Sequence, residues 1–492
     1  MIWFCLLKVM FASDCSVFEI GHADSQLCKC NVTYCDYFDL EHNKGNNVSM
    51  YTTSKSGSRL AKSTIIPNRT HKLYFDSSQR IDLSGSLNQK IIGFGGAITD
   101  ATLISLYSLS NKTRRLLEKS WFGTSGASFN LIRVPIGGTD FSEKGYDLDP
   151  MKDDFKLKHF NLSNIDYNQR IPLIKRWKNK NWKIFGSAWS APLWMKSNGK
   201  YNGRTKLIEK QNVYNAWAKY LLKYTIAMSD IGVDVWGLTS QNEPSMGLFI
   251  SSDWNANGFT PRQMKVWLRD HLYPVFNRAL KNGILNSKPK MLLLDDQRLF
   301  IPKYVDFWLE DEFIRNNSDG IAVHWYWNHY ISPNVLDTIH KKYPEKLIIS
   351  SEACAGTFDK YGFENVWTQA EDYAYDIVQT LNHFTSGWVD WNLALNMRGG
   401  PNWANNFRNA CVHVDSTKDE FYKAPCHYIM LHFSRFFVPG TQIIRSDLKN
   451  TVVVGKQPNG TFVGVVINLK PYSKQFNFFK AQVYNLRLKC YY

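Results

Sequence analysis

From about Lys90 the chain alternates short, almost continuously apolar runs with stretches of helical period. The eight runs are KIIGFGGA from Lys90, NLIRVP from Asn130, KIFGSAW from Lys183, VWGLTSQNE from Val235, KMLLLDDQ from Lys290, GIAVHWY from Gly320, KLIISSE from Lys346 and GWVDWNLAL from Gly387. Between them apolar residues recur on one helical face, as at Trp217, Tyr220, Leu221 and Tyr224, and at Trp267, Leu268 and His271 after Pro261. Strands that are apolar throughout and separated by helices predict a parallel sheet covered on both faces. Eight such units predict an α/β fold, a closed (β/α)8 TIM barrel. A doubly wound sheet is disfavoured, because FGGA is followed by Ile98, Thr99 and Asp100 and not by the spacing of a dinucleotide fingerprint.

The flanks read differently. Residues 41–88 and 437–492 carry period-two alternation, as in Thr451 to Gly455 and Phe462 to Ile467 around the turn at Pro458, Asn459 and Gly460. These strands are expected to meet in an accessory all-β sandwich, leaving 89–393 with 417–436 to the barrel. The opening segment, residues 1–14, is apolar but short and interrupted by Lys8, and is read as a remnant export signal.

Composition narrows the class. Hydrophobic residues make up 44% of the 492, yet no run approaches the ~18 to 20 apolar residues that span a bilayer. The formal net charge of +16 is dispersed and accompanies no nucleic-acid motif, so nucleic acid is set aside and an anionic membrane surface is the expected partner of the basic balance. Glycosylation sequons stand at Asn31, Asn47, Asn68, Asn111, Asn161, Asn316 and Asn459. Cys15, Cys28, Cys30 and Cys35 crowd one end. They lack the paired knuckles of a zinc module, so two disulfides in an oxidising compartment are favoured over a metal site with His22, and three pairings are open.

In such a barrel the chemistry lies where strands end, at Asp100, Arg133 with Asp140, Trp189, Asn242 with Glu243, Asp295 with Asp296, His324 with Trp325, Glu352, and Trp391. This ring of carboxylates, amides and aromatics suits a neutral polyhydroxylated ligand and calls for no metal or cofactor. Glycoside cleavage needs one protonated carboxyl group for the leaving oxygen and one ionised group to attack or to activate water. Glu243 and Glu352 end strongly apolar runs and form the best pair, with Pro244 fixing the first. The competing reading places both glutamates in ion pairs with Arg133 or Arg298. Asn242 is suited to a sugar hydroxyl, and Trp189, Trp325 and Trp391 to the ring face.

FGGAITDA from Phe94, LIRVPIGGTDFS from Leu131, SQNEPS from Ser240, LLLDDQR from Leu292, IAVHWY from Ile321, SSEACAG from Ser350 and DWNLALNMRGGPNW from Asp390 occur in order. Together they resemble the glucosylceramidases, the acid β-glucocerebrosidases, from about Cys15 to about Leu469. The resemblance implies a retaining hydrolase of glucosylceramide with Glu243 as acid/base and Glu352 as nucleophile. It implies a glucose pocket of Asp140, Trp189, Asn242, Trp391 and Asn406, with Trp325 and Tyr326 nearby. It also implies a small disulfide-bearing β-sheet from residues 15–40 and part of 394–416, with Cys15 bonded to Cys28 and Cys30 to Cys35. A lysosomal or secreted location and a saposin-like activator protein complete the picture. A β-xylosidase or β-1,6-glucanase on the same scaffold is the runner-up, followed by a non-catalytic carbohydrate-binding protein. The tail after Leu469 departs from the family pattern, and an exposed sheet edge is expected there.

Overall fold

The computed structural model describes residues 15–38, 48–65, 79–356, 363–469, 474–480 and 484–490. All eight apolar runs become barrel strands: β1 (Gly93–Ala97), β2 (Leu131–Ile136), β3 (Lys183–Ala188), β4 (Gly237–Thr239), β5 (Lys290–Gln297), β6 (Gly320–His324), β7 (Leu347–Glu352) and β8 (Thr385–Asn392). Every neighbouring pair is parallel, and β8 pairs with β1 to close the ring. Helices follow the strands and cover the outside. The helix Gln211–Asp230, for example, buries Trp217, Tyr220, Leu221 and Tyr224, the face its sequence period predicts.

Alternation along the strands sorts the barrel interior. Leu131, Phe185, Leu292, Ala322, Ile349 and Val389 come from six strands and form one apolar cluster, which they can do only across the barrel axis. Two positions further along their strands stand Arg133, Ser187, His324, Ser351 and Trp391, facing the same way. Hydrocarbon therefore fills the lower barrel, and polar groups collect at the C-terminal ends. The glycines of FGGA serve this packing and not a phosphate. A Cβ on Gly95 would lie 2.1 Å from the Leu131 carbonyl oxygen, so only glycine lets β1 and β2 approach this closely.

A five-stranded sheet lies to one side, in the order Val17–Phe18, Leu27–Asn31, Glu420–Lys423, Val412–Asp415, Leu395–Asn396. Cys15–Cys28 and Cys30–Cys35 are its disulfides. The sequence boundary at 416 moves: Val412–Asp415 and Glu420–Lys423 form one hairpin, and the second strand pairs with Leu27–Asn31. Only from Pro425, the start of the helix Pro425–Ser434, does the chain return to the barrel.

The remaining β structure brings the two chain ends together. Leu87–Lys90 joins Gln442–Ile444, Val452–Lys456 and Phe462–Val466 in one sheet, and Gln79–Asp82 joins Lys474–Lys480 and Tyr484–Cys490 in another. Ile81 packs with Ile444, Val452 and Val454 between them. The atypical tail thus supplies a hairpin of its own, with Tyr484–Cys490 as its edge. One expected member stands apart. Among the described residues Val48–Thr52 pairs with Ala61–Ile65 alone, and its Tyr51 ring packs on Phe38 and Phe436 beside the Thr53 to His432 contact of 2.9 Å. Asn111, Asn161, Asn316 and Asn459 are exposed and Asn31 is half-buried, whereas Asn47, Asn68 and the opening segment lie outside the described residues.

Asp36 ties the small sheet to the barrel. Its buried carboxylate accepts from Lys423 Nζ at 2.5 Å and from the Tyr428 hydroxyl at 2.6 Å. Removing one partner of a buried pair leaves the other charge without compensation, so Asp36→Ala should cost about 3–5 kcal/mol in urea unfolding. A loss below about 1 kcal/mol, the range of exposed pairs, would show that Lys423 finds water instead.

Candidate active site

Arg133 begins the polar layer. Its buried guanidinium donates to Asp295 Oδ2 and Asn242 Oδ1, each at 2.8 Å, to Ser187 Oγ at 3.2 Å, and to Glu352 Oε2. The rings of Trp189 and Trp391 stack at 4.8 Å beside it, with the guanidinium carbon 4.7 and 5.4 Å from their centroids. A buried cation thus organises two carboxylates, an amide and an aromatic wall.

Glu352 closes β7 and accepts a second bond from the Tyr326 hydroxyl at 2.6 Å. Glu243 follows β4 with φ of 40°, a left-handed backbone that costs a non-glycine residue about 1–3 kcal/mol. Its N–H donates to the Asp295 carbonyl at 2.9 Å, and its Oε1 accepts from Gln297 Nε2 at 3.1 Å and His324 Nδ1 at 3.2 Å. One oxygen of Glu243, one of Glu352 and a ring nitrogen of His324 all lie within 4.8 Å of one another. The strand-end glutamates therefore face each other across the barrel mouth. Arg298 takes no part, because its Nη2 donates to the carbonyls of Asn328 and Ile331.

A bulge in β5 makes this possible. Leu294 and Asp295 have φ of 75° and 57°, and the register against β6 slips between Leu294 and Asp296. Asp295 turns inward, where it accepts from Arg133, from Ser351 Oγ at 2.6 Å, from His324 Nε2 at 3.1 Å and from Ser187. Burial pushes its pKa up, but Arg133 and His324 outweigh that and hold the carboxyl below the usual range. Asp296 turns the other way and accepts the Ser245 N–H at 3.0 Å.

His324 lies among three carboxylates. Burial lowers its pKa, yet Glu352, Asp295 and Glu243 together lift it to about 10, so the ring is an imidazolium at neutral pH. With both nitrogens protonated the ring donates to Glu243 and to Asp295. Cys15, Cys28, Cys30 and Cys35 are spent on disulfides.

The loops complete the pocket. Asp140 accepts from Asn406 Nδ2 at 3.0 Å and Asn402 Nδ2 at 3.4 Å, and burial pushes its pKa up to about 7. The next residue, Phe141, meets Trp391 edge-on at 6.1 Å. Trp325 is not brought here. It lies between His324 and Tyr326 in sequence, and alternation turns its ring outward against Tyr373 and Trp388. Asp100 also departs, bonded to Ser142 at 2.7 Å, to Tyr146 at 3.0 Å and to Arg170. Gln297 and Asn402 were not apparent as site residues from the sequence, although Gln297 closes KMLLLDDQ and Asn402 lies in the Asn-rich GGPNWANN.

Residues 91–437 match the glycosyl hydrolase family 30 TIM-barrel domain. The chain belongs to this family. Lysosomal acid glucosylceramidase of Mus musculus is 35% identical over 480 residues, covering 93% of this chain and 90% of its own. Two solved structures share the fold. SrfJ from Salmonella typhimurium has a TM-score of 0.79 at 24% identity, over 88% of this chain and 94% of that one. The endo-β1,6-glucanase BT3312 has a TM-score of 0.75 at 22% identity, over 91% and 97%. Membership of family 30, with the relation to the mouse enzyme, makes the chain a glycoside hydrolase.

The raised pKa of His324 has a measurable consequence. Its contribution to stability is fully present below about pH 6.5, the unfolded value, and is lost as pH rises to the folded value of about 10. Across that window the parent's unfolding free energy should fall more steeply than that of His324→Gln, by up to about 1.4 kcal/mol per pH unit. Parallel profiles would mean that the ring titrates normally.

Proposed function

We propose that this family 30 hydrolase cleaves glucosylceramide to glucose and ceramide with retention, serving sphingolipid breakdown in the lysosomal lumen at a membrane surface. The observation that carries the lipid substrate is the rim of the pocket. Phe249, Ile250, Leu299, Trp327 and Tyr330 are large apolar side chains left exposed, with Tyr330 86% accessible. Phe249 stacks toward Phe300 at 6.4 Å, and Phe300 meets Trp327 at 6.1 Å. These residues adjoin Glu243, Gln297 and Tyr326 in sequence, and the Trp327 N–H donates to Gln297 Oε1 at 3.3 Å. Aliphatic Ile250 and Leu299, exposed and next in sequence to Phe249 and Phe300, suit hydrocarbon chains better than the hydroxyls of a second sugar, which favours ceramide over a glucan or xylan.

In this mechanism Glu243 gives a proton to the glycosidic oxygen while Glu352 attacks the anomeric carbon, releasing ceramide and leaving a glucosyl ester on Glu352. Glu243 then takes a proton from water, which displaces the ester and frees glucose. One oxygen of Glu243 and one of Glu352 lie within 4.8 Å of each other, and such closeness favours direct attack over inversion, whose carboxyl groups stand about 6.5–9.5 Å apart to admit a water. Arg133 and Tyr326 orient Glu352, and Gln297 and His324 orient Glu243. Asp140, Asn242, Asn406 and the Trp189 and Trp391 wall would hold the glucose. No described helix is long and apolar enough to cross a membrane, so the substrate would be met at the bilayer surface, where the net charge of +16 favours anionic lipid. A saposin-like activator protein would act at that same surface.

Two comparisons test the proposal. Glu352→Gln should lose about a thousandfold or more on every substrate, whereas Glu243→Gln should keep the first step on an aryl glucoside whose leaving group needs no proton. Equal losses there would overturn the roles. Phe249→Ala with Trp327→Ala should depress turnover of glucosylceramide in anionic vesicles about thirtyfold or more while sparing the soluble aryl glucoside, since each lost apolar contact is worth about 1–3 kcal/mol. A parallel fall on both substrates, or faster cleavage of a β-1,6-glucan than of the lipid, would overturn the assignment.

A further inference from the structure

Asp100 is absent from the sugar pocket, yet its carboxylate is bonded to the loop that carries Asp140. It is buried, and it is the first residue of the helix Asp100–Tyr107, where the aligned amide dipoles favour a negative charge. Oδ1 accepts from Arg170, whose guanidinium is also paired with Asp166 and donates through Nε to the Ile98 carbonyl at 3.1 Å. Oδ2 accepts from the Ser142 hydroxyl at 2.7 Å and from the Tyr146 hydroxyl at 3.0 Å. Ser142 and Tyr146 lie on the loop after β2, on either side of which Asp100 and Arg170 hold the end of β1.

The Ser142 hydroxyl works in both directions. Its proton goes to Asp100, and its oxygen accepts the Thr139 N–H at 3.0 Å. The Phe141 N–H closes the same turn on Thr139 Oγ1 at 3.0 Å, while the Phe141 carbonyl accepts the Ala101 N–H at 2.9 Å. Thr139 to Ser142 is therefore one tight, buried turn with Asp140 in the middle of it. Tyr146 braces the turn from behind: the Gly138 N–H donates to its carbonyl at 3.0 Å, and its ring lies so close that a Cβ on Gly138 would stand 2.8 Å away. From the opposite side the Asp140 carbonyl accepts the Trp403 N–H at 3.1 Å, and Asn402 and Asn406 hold the carboxyl.

We propose that Asp100 is a positioning residue for glycoside cleavage, setting through Ser142 and Tyr146 where Asp140 presents its carboxyl to the sugar. The proposal rests on the reading that places Asp140 in the glucose pocket. Hydrogen bonds to a charged acceptor are the strong ones, and this acceptor is itself fixed by Arg170, so the turn is registered against the end of the first barrel strand.

The test is a double-mutant cycle of the full chain on an activated, soluble aryl β-glucoside, built from Ser142→Ala, Tyr146→Phe and Asp140→Ala. Ser142→Ala should lower kcat/KM about tenfold or more, within the roughly hundredfold that a misplacement of about 1 Å can cost, and Tyr146→Phe should lower it less. In the Asp140→Ala background each of the two should change kcat/KM less than about twofold, because the carboxyl they position is gone. Tyr146→Phe leaves the Ser142 link in place, so it carries the cycle if Ser142→Ala does not fold. Losses that multiply in full in the Asp140→Ala background would show a general effect on the fold and overturn the proposal. Parental activity in both Ser142→Ala and Tyr146→Phe, with Asp140→Ala impaired, would overturn it while leaving Asp140 in the pocket. Parental activity in Asp140→Ala would remove Asp140 from the pocket, and the proposal with it.

Discussion

The site depends on one buried cation. Arg133 is wholly enclosed by the barrel, and its guanidinium is compensated by Asp295 and Glu352 with hydrogen bonds to Asn242 and Ser187. A guanidinium cannot shed its charge at any ordinary pH, so its surroundings must supply the counter-charge. From β2 it reaches acceptors on β3, β5, β7 and the loop after β4, and the barrel therefore closes around a charge network and not only around hydrocarbon. Charge and fold are coupled here: Glu352 is aimed by the same contacts that make Arg133 tolerable in the interior.

Two local departures from ideal backbone let the network form. The bulge at Leu294 to Asp296 reverses strand parity, so that Asp295 faces Arg133 and Gln297 reaches Glu243. The left-handed backbone at Glu243 swings its carboxyl toward Glu352, and the bonds to Gln297 and His324 hold it there. Strain of this kind persists only where the surroundings over-determine it, as the N–H of Glu243 on the Asp295 carbonyl and the Ser245 N–H on Asp296 do. The resulting geometry leaves both carboxylates on the pocket side with their orienting partners behind them.

The barrel was legible because each strand is apolar on both faces and ends in polar residues, and Glu243 and Glu352 were legible because they are those ends. Trp325 was misplaced by the same rule. It adjoins His324 and Tyr326, but a one-residue step along a strand turns a side chain to the opposite face. Gln297 was hidden by the bulge, since strict alternation from the inward-facing Leu292 would turn Asp296 inward and both Asp295 and Gln297 outward. Asn402 was hidden in a long loop, where spacing carries no periodic signal. The small sheet's edge was drawn too early because the turn between Asp415 and Glu420 reads as a loop, and only the pairing of Glu420–Lys423 with Leu27–Asn31 reveals the second strand.

Which carboxylate becomes covalently bonded to sugar decides between the two roles. An activated 2-deoxy-2-fluoroglucoside slows both steps by destabilising the oxocarbenium-like transition state, while its good leaving group keeps the first step fast enough for the ester to accumulate. Mass spectrometry of the inactivated chain after peptic digestion at low pH should find a single fluoroglucosyl group, carried on the fragment that contains Glu352. An adduct on Glu243, or inhibition with no covalent adduct at all, would contradict it.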